Sequence, residues 1–396
     1  MEENNNEVID LESLSTDRYE RQKRIPWWHQ EVLKNARVLV VGTGTVGNEI
    51  CKNLSLIGVG EIWIIDNDTV EIANLNRSVL MRGEDIGRDK VDAVAEHIKE
   101  LNPEINAVPV NANAVWDIGA GFYRNFDVVF SGLDNREARI YVNKYCYMTK
   151  TPFIDSGIEA LRGRVMVIKP PDSSCYECTF FEKDYMLLSI KYSCPGLPIE
   201  ELIEGKVPMV ATTSSVIAGI QVQEAIELLH DRKSSLEGRE LYFNGDLNEI
   251  SINTIKKRDG CMGHFYIDEF IKVPITVKNT LKELKKEIKN KINIKDFVVM
   301  HDREIAYQAI CKNCSSRKEI LKPVGRITEK EAYCEKCGER FSFETSSELK
   351  HDNLTLKEHH VPPMHILTVQ NNNEIYYVEL SDKMEDMASF YIREIL

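Results

Sequence analysis

Arg37-Val38-Leu39-Val40-Val41 runs without a break into Gly42-Thr43-Gly44-Thr45-Val46-Gly47. The first five residues form a short β-branched, apolar run of the kind that is buried on both faces of a parallel sheet. Past the glycines, Val46, Ile50, Leu54 and Ile57 recur on one helical face, and Gly58 stands where helices end. A second strand over Ile62 to Ile65 then delivers Asp66, nineteen residues after Gly47. Strand, glycine turn, helix and acid in this order predict an α/β, Rossmann-like nucleotide-binding domain. Backbone at Gly42, Gly44 and Gly47 can approach a phosphate, the helix N-terminus offers it free N–H groups, and Asp66 can accept from ribose hydroxyls. Thr45 brings a side chain to the same turn.

The residues outside that stretch narrow the chemistry. Asp66-Asn67-Asp68 leads to Asn74-Leu75-Asn76-Arg77, and Gly87-Arg88-Asp89-Lys90 opens a helix to Leu101 striped by Val91, Val94, Ala95 and Ile98. A nicotinamide enzyme needs a slot for hydride transfer, whereas a site that bends a triphosphate toward a carboxylate needs cations and a metal-holding acid. Arg77 and Lys90 supply the cations. A strand over Phe126 to Phe130 ends in Ser131-Gly132-Leu133-Asp134-Asn135, which places an acid beyond the carboxyl end of a strand, where open parallel sheets bind ligands. An Asp there also suits the N-cap of the helix that follows. Upstream lies Arg18-Tyr19-Glu20-Arg21-Gln22.

Taken together, these motifs resemble those of the ThiF/MoeB family, which includes the activating enzymes of ubiquitin-like proteins, over roughly residues 15 to 267. The resemblance implies that Arg21 reaches the ATP site of a partner subunit in a homodimer, acting as an arginine finger does. It also implies that Asn74, Arg77 and Lys90 contact phosphates, that Asp66 holds the ribose, and that Asp68 and above all Asp134, beside Asn135, serve magnesium and adenylation. Thr45 departs from the family's usual glycine.

At 396 residues the chain has room for two or three domains. A net charge of −13 disfavours passive binding to nucleic acid or to an anionic membrane. No apolar stretch approaches the roughly eighteen residues of a membrane span, and Met1 to Ser13 is acidic and polar, unlike a signal peptide. Six of the ten cysteines stand in Cys-x-x-Cys pairs, which points to zinc in a reducing compartment, here the cytoplasm.

Two zinc sites are expected. Cys175-x-x-Cys178 follows a strand over Gly163 to Lys169, where the family carries half of a zinc knuckle, and Cys261-Met262-Gly263-His264 completes it as three thiolates and one imidazole. Cys311-x-x-Cys314 and Cys334-x-x-Cys337, with nineteen residues between the pairs, form a zinc ribbon. Zinc there would supply roughly 10 kcal/mol or more of folding free energy to a unit too small for its own core. Cys194, in the loop Lys191 to Pro198, is a candidate covalent nucleophile by resemblance, or else an incidental thiol. Cys51 and Cys146 fall in helical stripes and are expected to be inert packing.

The expected organisation is an adenylation domain over 1–267, including the knuckle and a helix from Thr212 to His230 capped by Thr212 or Thr213. A small α+β, β-grasp-like segment over 268–305 follows, then the ribbon over 306–345 and a linker with a β-hairpin tail over 346–396. The lysines of Lys278 to Lys291 are either a solvated face or a docking site for an acidic carrier. The function expected is ATP-dependent adenylation of the C-terminal glycine of a ubiquitin-like or sulfur-carrier protein, with pyrophosphate leaving and a thioester or persulfide step at Cys194. Adenylation of a small peptide or nucleoside and a non-catalytic nucleotide-binding scaffold are the alternatives; retention of Arg77, Lys90 and Asp134 together weighs against the scaffold.

Overall fold

The computed structural model describes residues 17–182, 184–185, 208–372 and 374–390. The polar residues 1–16 and the segment carrying Cys194 lie outside the described residues. Eight strands form the first sheet: β1 Arg37–Val41, β2 Glu61–Asp66, β3 Asn106–Asn111, β4 Val128–Ser131, β5 Phe153–Glu159, β6 Arg162–Ile168, β7 Arg239–Asn244 and β8 Glu249–Thr254. Their spatial order is β3-β2-β1-β4-β5-β6-β7-β8. The first five are mutually parallel and the last three antiparallel. The order reverses between β1 and β4, so the crevice of a doubly wound sheet opens there.

The buried run read from the sequence is the centre of this sheet. Val38 and Val40 face one layer of helices while Leu39 and Val41 face the other, as strand periodicity requires. The first layer contains α3 Thr45–Ile57, α4 Lys90–Leu101 and α7 Ala211–Leu229. The second contains α5 Ala120–Tyr123 and α6 Arg136–Thr149. Two short helices, α1 Glu20–Lys23 and α2 Gln30–Asn35, precede β1. The start of α7 differs from expectation. Ala211 is its first residue, Val210 occupies the cap position without a side-chain bond, and Thr213 instead donates to the Ala160 carbonyl at 3.0 Å.

Beyond residue 267 a second sheet forms from β9 Ile271–Lys272, β10 Val298–Cys311, β11 Arg317–Pro323, β12 Phe341–Glu348, β13 Ile366–Asn371 and β14 Glu374–Glu379. The order is β11-β10-β13-β14-β9, with β12 also on β10 and β9 parallel to β14. The helix α8 Leu281–Ile292 buries Leu281, Leu284 and Ile288 against it. Residues that the sequence reading assigned to separate segments share this one core, Val273 and Val299 with Leu367 and Val378. The long strand β10 explains how. Its first residues pair with β13, and its far half carries β11 and β12, so the cysteine ribbon projects from the end of the sheet.

The two sheets are joined by a buried polar junction. Asp302 on β10 accepts from Lys144 Nζ at 2.7 Å and Tyr145 Oη at 2.9 Å, both on α6, while His301 Nδ1 lies 2.8 Å from its other oxygen. His365 Nε2 stands 3.3 Å from that second oxygen, and the Met364 carbonyl accepts from the Gly121 amide at 2.9 Å. Apolar packing continues across the junction, since Met364 and Ile366 belong to the core that contains Phe122 and Tyr145. Among the described residues no helix is long and apolar enough to cross a membrane.

Burial pushes the His365 imidazole down from its ordinary 6.5 to about 4. The unfolded chain therefore takes up this proton before the folded one does, and stability is lost as pH falls from about 6.5 toward 4. His365→Gln, which keeps a donor for Asp302 but does not titrate, should lose less over that window. Denaturant midpoints of the two proteins measured across the window check this, and parallel pH dependences would contradict it.

Candidate functional site

Three glycines shape the crevice. Gly42 leaves β1 with φ +86°, a left-handed conformation that favours glycine. A Cβ on Gly47 would sit 1.9 Å from the Gly42 carbonyl oxygen, and one on Gly132 would sit 2.4 Å from the same atom. The turn after β1, the first turn of α3 and the end of β4 therefore pack backbone to backbone. Thr45 is tolerated because its buried hydroxyl finds Met209 Sδ at 3.9 Å. Asp66 fixes the turn from below, accepting from the Thr43 amide at 2.7 Å and its hydroxyl at 2.9 Å.

A cavity of about 380 Å³ opens at the carboxyl ends of β1, β2, β3 and β4. Its lining brings together the site residues read from the sequence for the nucleotide: Gly42, Gly44, Thr45, Asp66, Asp68, Asn74, Arg77, Lys90, Asp134 and Asn135. Gly47 lies one layer behind, packed on Gly42. Asn135, not Asp134, caps α6, its side chain accepting from the Ala138 amide at 2.7 Å. The exposed Asp134 is thereby left for a ligand. Arg21 does not line the cavity of its own chain: it is exposed on α1, while Arg18, Tyr19 and Gln22 tie that segment down through Leu101, Glu104 and Ile57.

Lys90 is a buried cation of the site. It opens α4 and reaches Asp68 at 2.8 Å. Burial opposes its charge, but Asp66, Asp68 and Asp134 outweigh burial and hold the ammonium above its ordinary range. Arg77 donates to the Ala73 carbonyl and to Asn76 Oδ1, the latter at 2.9 Å, with Asn74 bonded back to the Glu71 amide. Cations and carboxylates thus line one space. That arrangement can take a polyphosphate and a metal ion together.

Sequence reasoning missed two parts of the lining. Arg139 donates to the Leu133 carbonyl at 2.6 Å and faces buried Asp155 at 3.8 Å, which braces the loop before Asp134. Its place one turn into a helix that begins beside Asp134 was the available signal. The wall beyond β3, including Val115 and Trp116, carried no signal beyond its position after a strand end.

Both cysteine sets assemble. Cys175, Cys178, Cys261 and His264 place their ligand atoms within 4.8 Å of one another, and so do Cys311, Cys314, Cys334 and Cys337. In the first set Cys178 Sγ lies 3.1 Å from His264 Nε2, and hydrogen bonds from Cys175 and Cys261 hold Cys178 below the usual thiol range. In the ribbon, a hydrogen bond from Ser316 brings Cys334 down to about 6. Three thiols with an imidazole, and four thiols, are donor sets that fit zinc, and neither leaves a position for substrate. His301, Asp302 and His365 also converge, but Lys144 and Arg303 beside Asp302 already balance its charge and make the spot unfavourable for a dication. Cys51 and Cys146 are fully buried, and burial raises both thiols.

The family model described as ThiF family matches residues 18–262. The SAMP-activating enzyme E1 of Haloferax volcanii is 31% identical over 264 residues, covering 63% of this chain and 88% of that protein. The SUMO-activating enzyme subunit 2 of Dictyostelium discoideum is 34% identical over 177 residues, 44% of this chain, so the chain matches about a quarter (27%) of that relative's length. Among solved structures, E. coli MccB with ATP has the same fold, with a TM-score of 0.53 and 23% identity over 64% of this chain and 75% of that one. With its motifs gathered at the crevice and its relatives drawn from activating enzymes, the chain belongs to the ThiF family.

Proposed function

We propose that this chain is an ATP-dependent adenylyltransferase that activates the C-terminal glycine of a ubiquitin-like or sulfur-carrier protein. The observation that carries the reading is the cavity at the switch point of the sheet, lined together by Arg77, Lys90, Asp66, Asp68 and Asp134. The near full-length match to an activating enzyme, at 31% identity, supports it. A carboxylate oxygen of the glycine attacks the α-phosphorus, the bond to the bridging oxygen breaks, and pyrophosphate leaves with that electron pair. Two anions must meet, so the barrier is largely repulsion and alignment. Lys90 and Arg77 neutralise the phosphates, Asp66 positions the ribose and Asn74 the phosphates. Asp134 and Asp68 are the carboxylates that fit magnesium, whose charge, when bound, offsets that of the leaving group.

The enzyme works as a homodimer in the cytoplasm. Arg21, exposed and outside the lining of its own cavity, completes the partner's site. Cys194, outside the described residues, is the candidate thiol for a following step in which its sulfur attacks the adenylate carbonyl, AMP leaves and a thioester forms; a persulfide at the same thiol would take its outer sulfur from an external sulfane donor. A small peptide or a modified nucleoside bearing a carboxylate, in place of the carrier, is the second reading, and the same assay decides between it and the first.

With a panel of carriers ending in Gly-Gly, ATP–pyrophosphate exchange should depend on carrier. It should fall ~10²-fold or more in Asp134→Ala or Arg77→Ala, as in other preorganised electrostatic sites, and persist in Cys194→Ala. Measurable ATP binding with no exchange for any carrier would turn the assignment to a small substrate or a scaffold. Metal analysis of the purified chain should find about two zinc ions, one for each cluster of four ligands. Cys178→Ser and Cys334→Ser should each remove one of them, and a metal-free native chain would refute both zinc sites.

A further inference from the structure

The cavity wall beyond β3 is held by a residue from the other sheet. Val115 and Trp116 line the cavity. Within their own turn, Asn113 Oδ1 accepts from the Val115 amide at 2.9 Å and the Trp116 amide at 3.3 Å. The carbonyls of the same two residues point away, to Arg303 on β10. Arg303 Nη2 donates to the Val115 carbonyl and to Tyr145 Oη at 2.9 Å, and Nη1 lies 3.5 Å from the Trp116 carbonyl. Its guanidinium carbon stands 4.9 Å from the centroid of the Trp116 ring and 4.9 Å from that of Tyr141. Arg303 is only 6% exposed, and Asp302 at 3.8 Å balances it. Few side chains other than a guanidinium can serve adjacent carbonyls, a phenol and two aromatic faces from one buried position.

The wall's place in the crevice gives this brace a role. In a doubly wound sheet the phosphates lie over the glycine turn after β1 and the ribose beside the acid that ends β2. The base then extends past β2 toward the end of β3, where residues 113–117 stand. Trp116 lines that wall, where an aromatic ring could take a stacked base. We infer that Arg303, outside the matched family region, is a positioning residue for the nucleotide: it holds Val115 and Trp116 at the base side of the cavity and so makes ATP affinity depend on the second sheet. The inference rests on the adenylation reading for the identity of the nucleotide.

Isothermal titration of the full-length chain with ATP and magnesium tests it in Arg303→Lys, Arg303→Met, Trp116→Leu and the double variant Arg303→Met/Trp116→Leu. The arginine variants are expected to bind ATP about tenfold more weakly, because a loosened wall misplaces the base. In the Trp116→Leu background Arg303→Met should then cost little more, since both act through one wall. Arg303→Lys keeps a charge beside Asp302 and so preserves the junction should the methionine variant fail to fold. In it, hydrogen exchange at amides 113–117 should speed up while β1 and β2 keep wild-type protection. A wild-type chain that binds no ATP sinks the adenylation reading. A wild-type chain that binds ATP, with folded Arg303 variants that bind it equally well or lose affinity additively with Trp116→Leu, sinks this inference alone.

Discussion

The backbone contact among Gly42, Gly47 and Gly132 is the constraint on which the site depends. It brings the end of β1, the start of α3 and the end of β4 closer than any side chain allows, since a Cβ on Gly47 or Gly132 would fall well inside contact distance of the Gly42 oxygen. Because of that approach, the N-terminus of α3 and the loop carrying Asp134 open on the same space. Hydrogen bonds from Gly42 to Ile65 and from Gly132 to Val41, both 2.8 Å, stitch the turn to the neighbouring strands. The cost of three flexible residues is recovered in the stiffness of the strands that hold them, Val38 to Val41 being completely buried.

The second sheet is built into the molecule rather than appended to it. Asp302 gathers Lys144, Tyr145 and His301 at a buried point where removing any one partner leaves polar groups unmatched. Gly119 and Gly121 allow the 363–365 backbone to approach α5 closely, and Arg124 meets Glu379 at 3.1 Å across the same seam. With Arg303 on the neighbouring position of β10, one strand both closes the seam and reaches the wall of the cavity.

The first sheet and its site were legible in the sequence because their signals are local. A β-branched run, a glycine turn and an acid at fixed spacing name their own geometry, and Lys90 and Asp134 fall at helix or strand ends where ligands bind, with Arg77 in the turn between β2 and α4. The cysteine clusters were legible for the same reason, as pairs three residues apart. What escaped was long-range. The union of residues 271–299 with 366–380 depends on β10 pairing with β13 across an inserted ribbon, and β9 is two residues long. Short strands joined over large separations leave no periodic trace. Arg303 was invisible for a related cause: its partners, Val115 and Tyr145, lie more than 150 residues away. The cap at Asn135 was a closer competition, decided between neighbours that are both good caps.

The charge balance within the cavity explains how an acidic chain can take a polyphosphate. The overall charge of −13 repels an anion at long range, but screening limits that repulsion to about 10 Å at ordinary ionic strength, and the cavity presents its own field. Lys90, 8% exposed, keeps its proton because three carboxylates surround it. When a nucleotide enters, its phosphates can succeed Asp68 as the anion opposite that ammonium, so the charge is never buried alone. Asp68, then freed, together with Asp134 would repel the phosphates, and a divalent cation held by these carboxylates would supply the charge that offsets that repulsion. In the proposed reaction, acids and cations lining one cavity would therefore couple nucleotide and metal binding to each other.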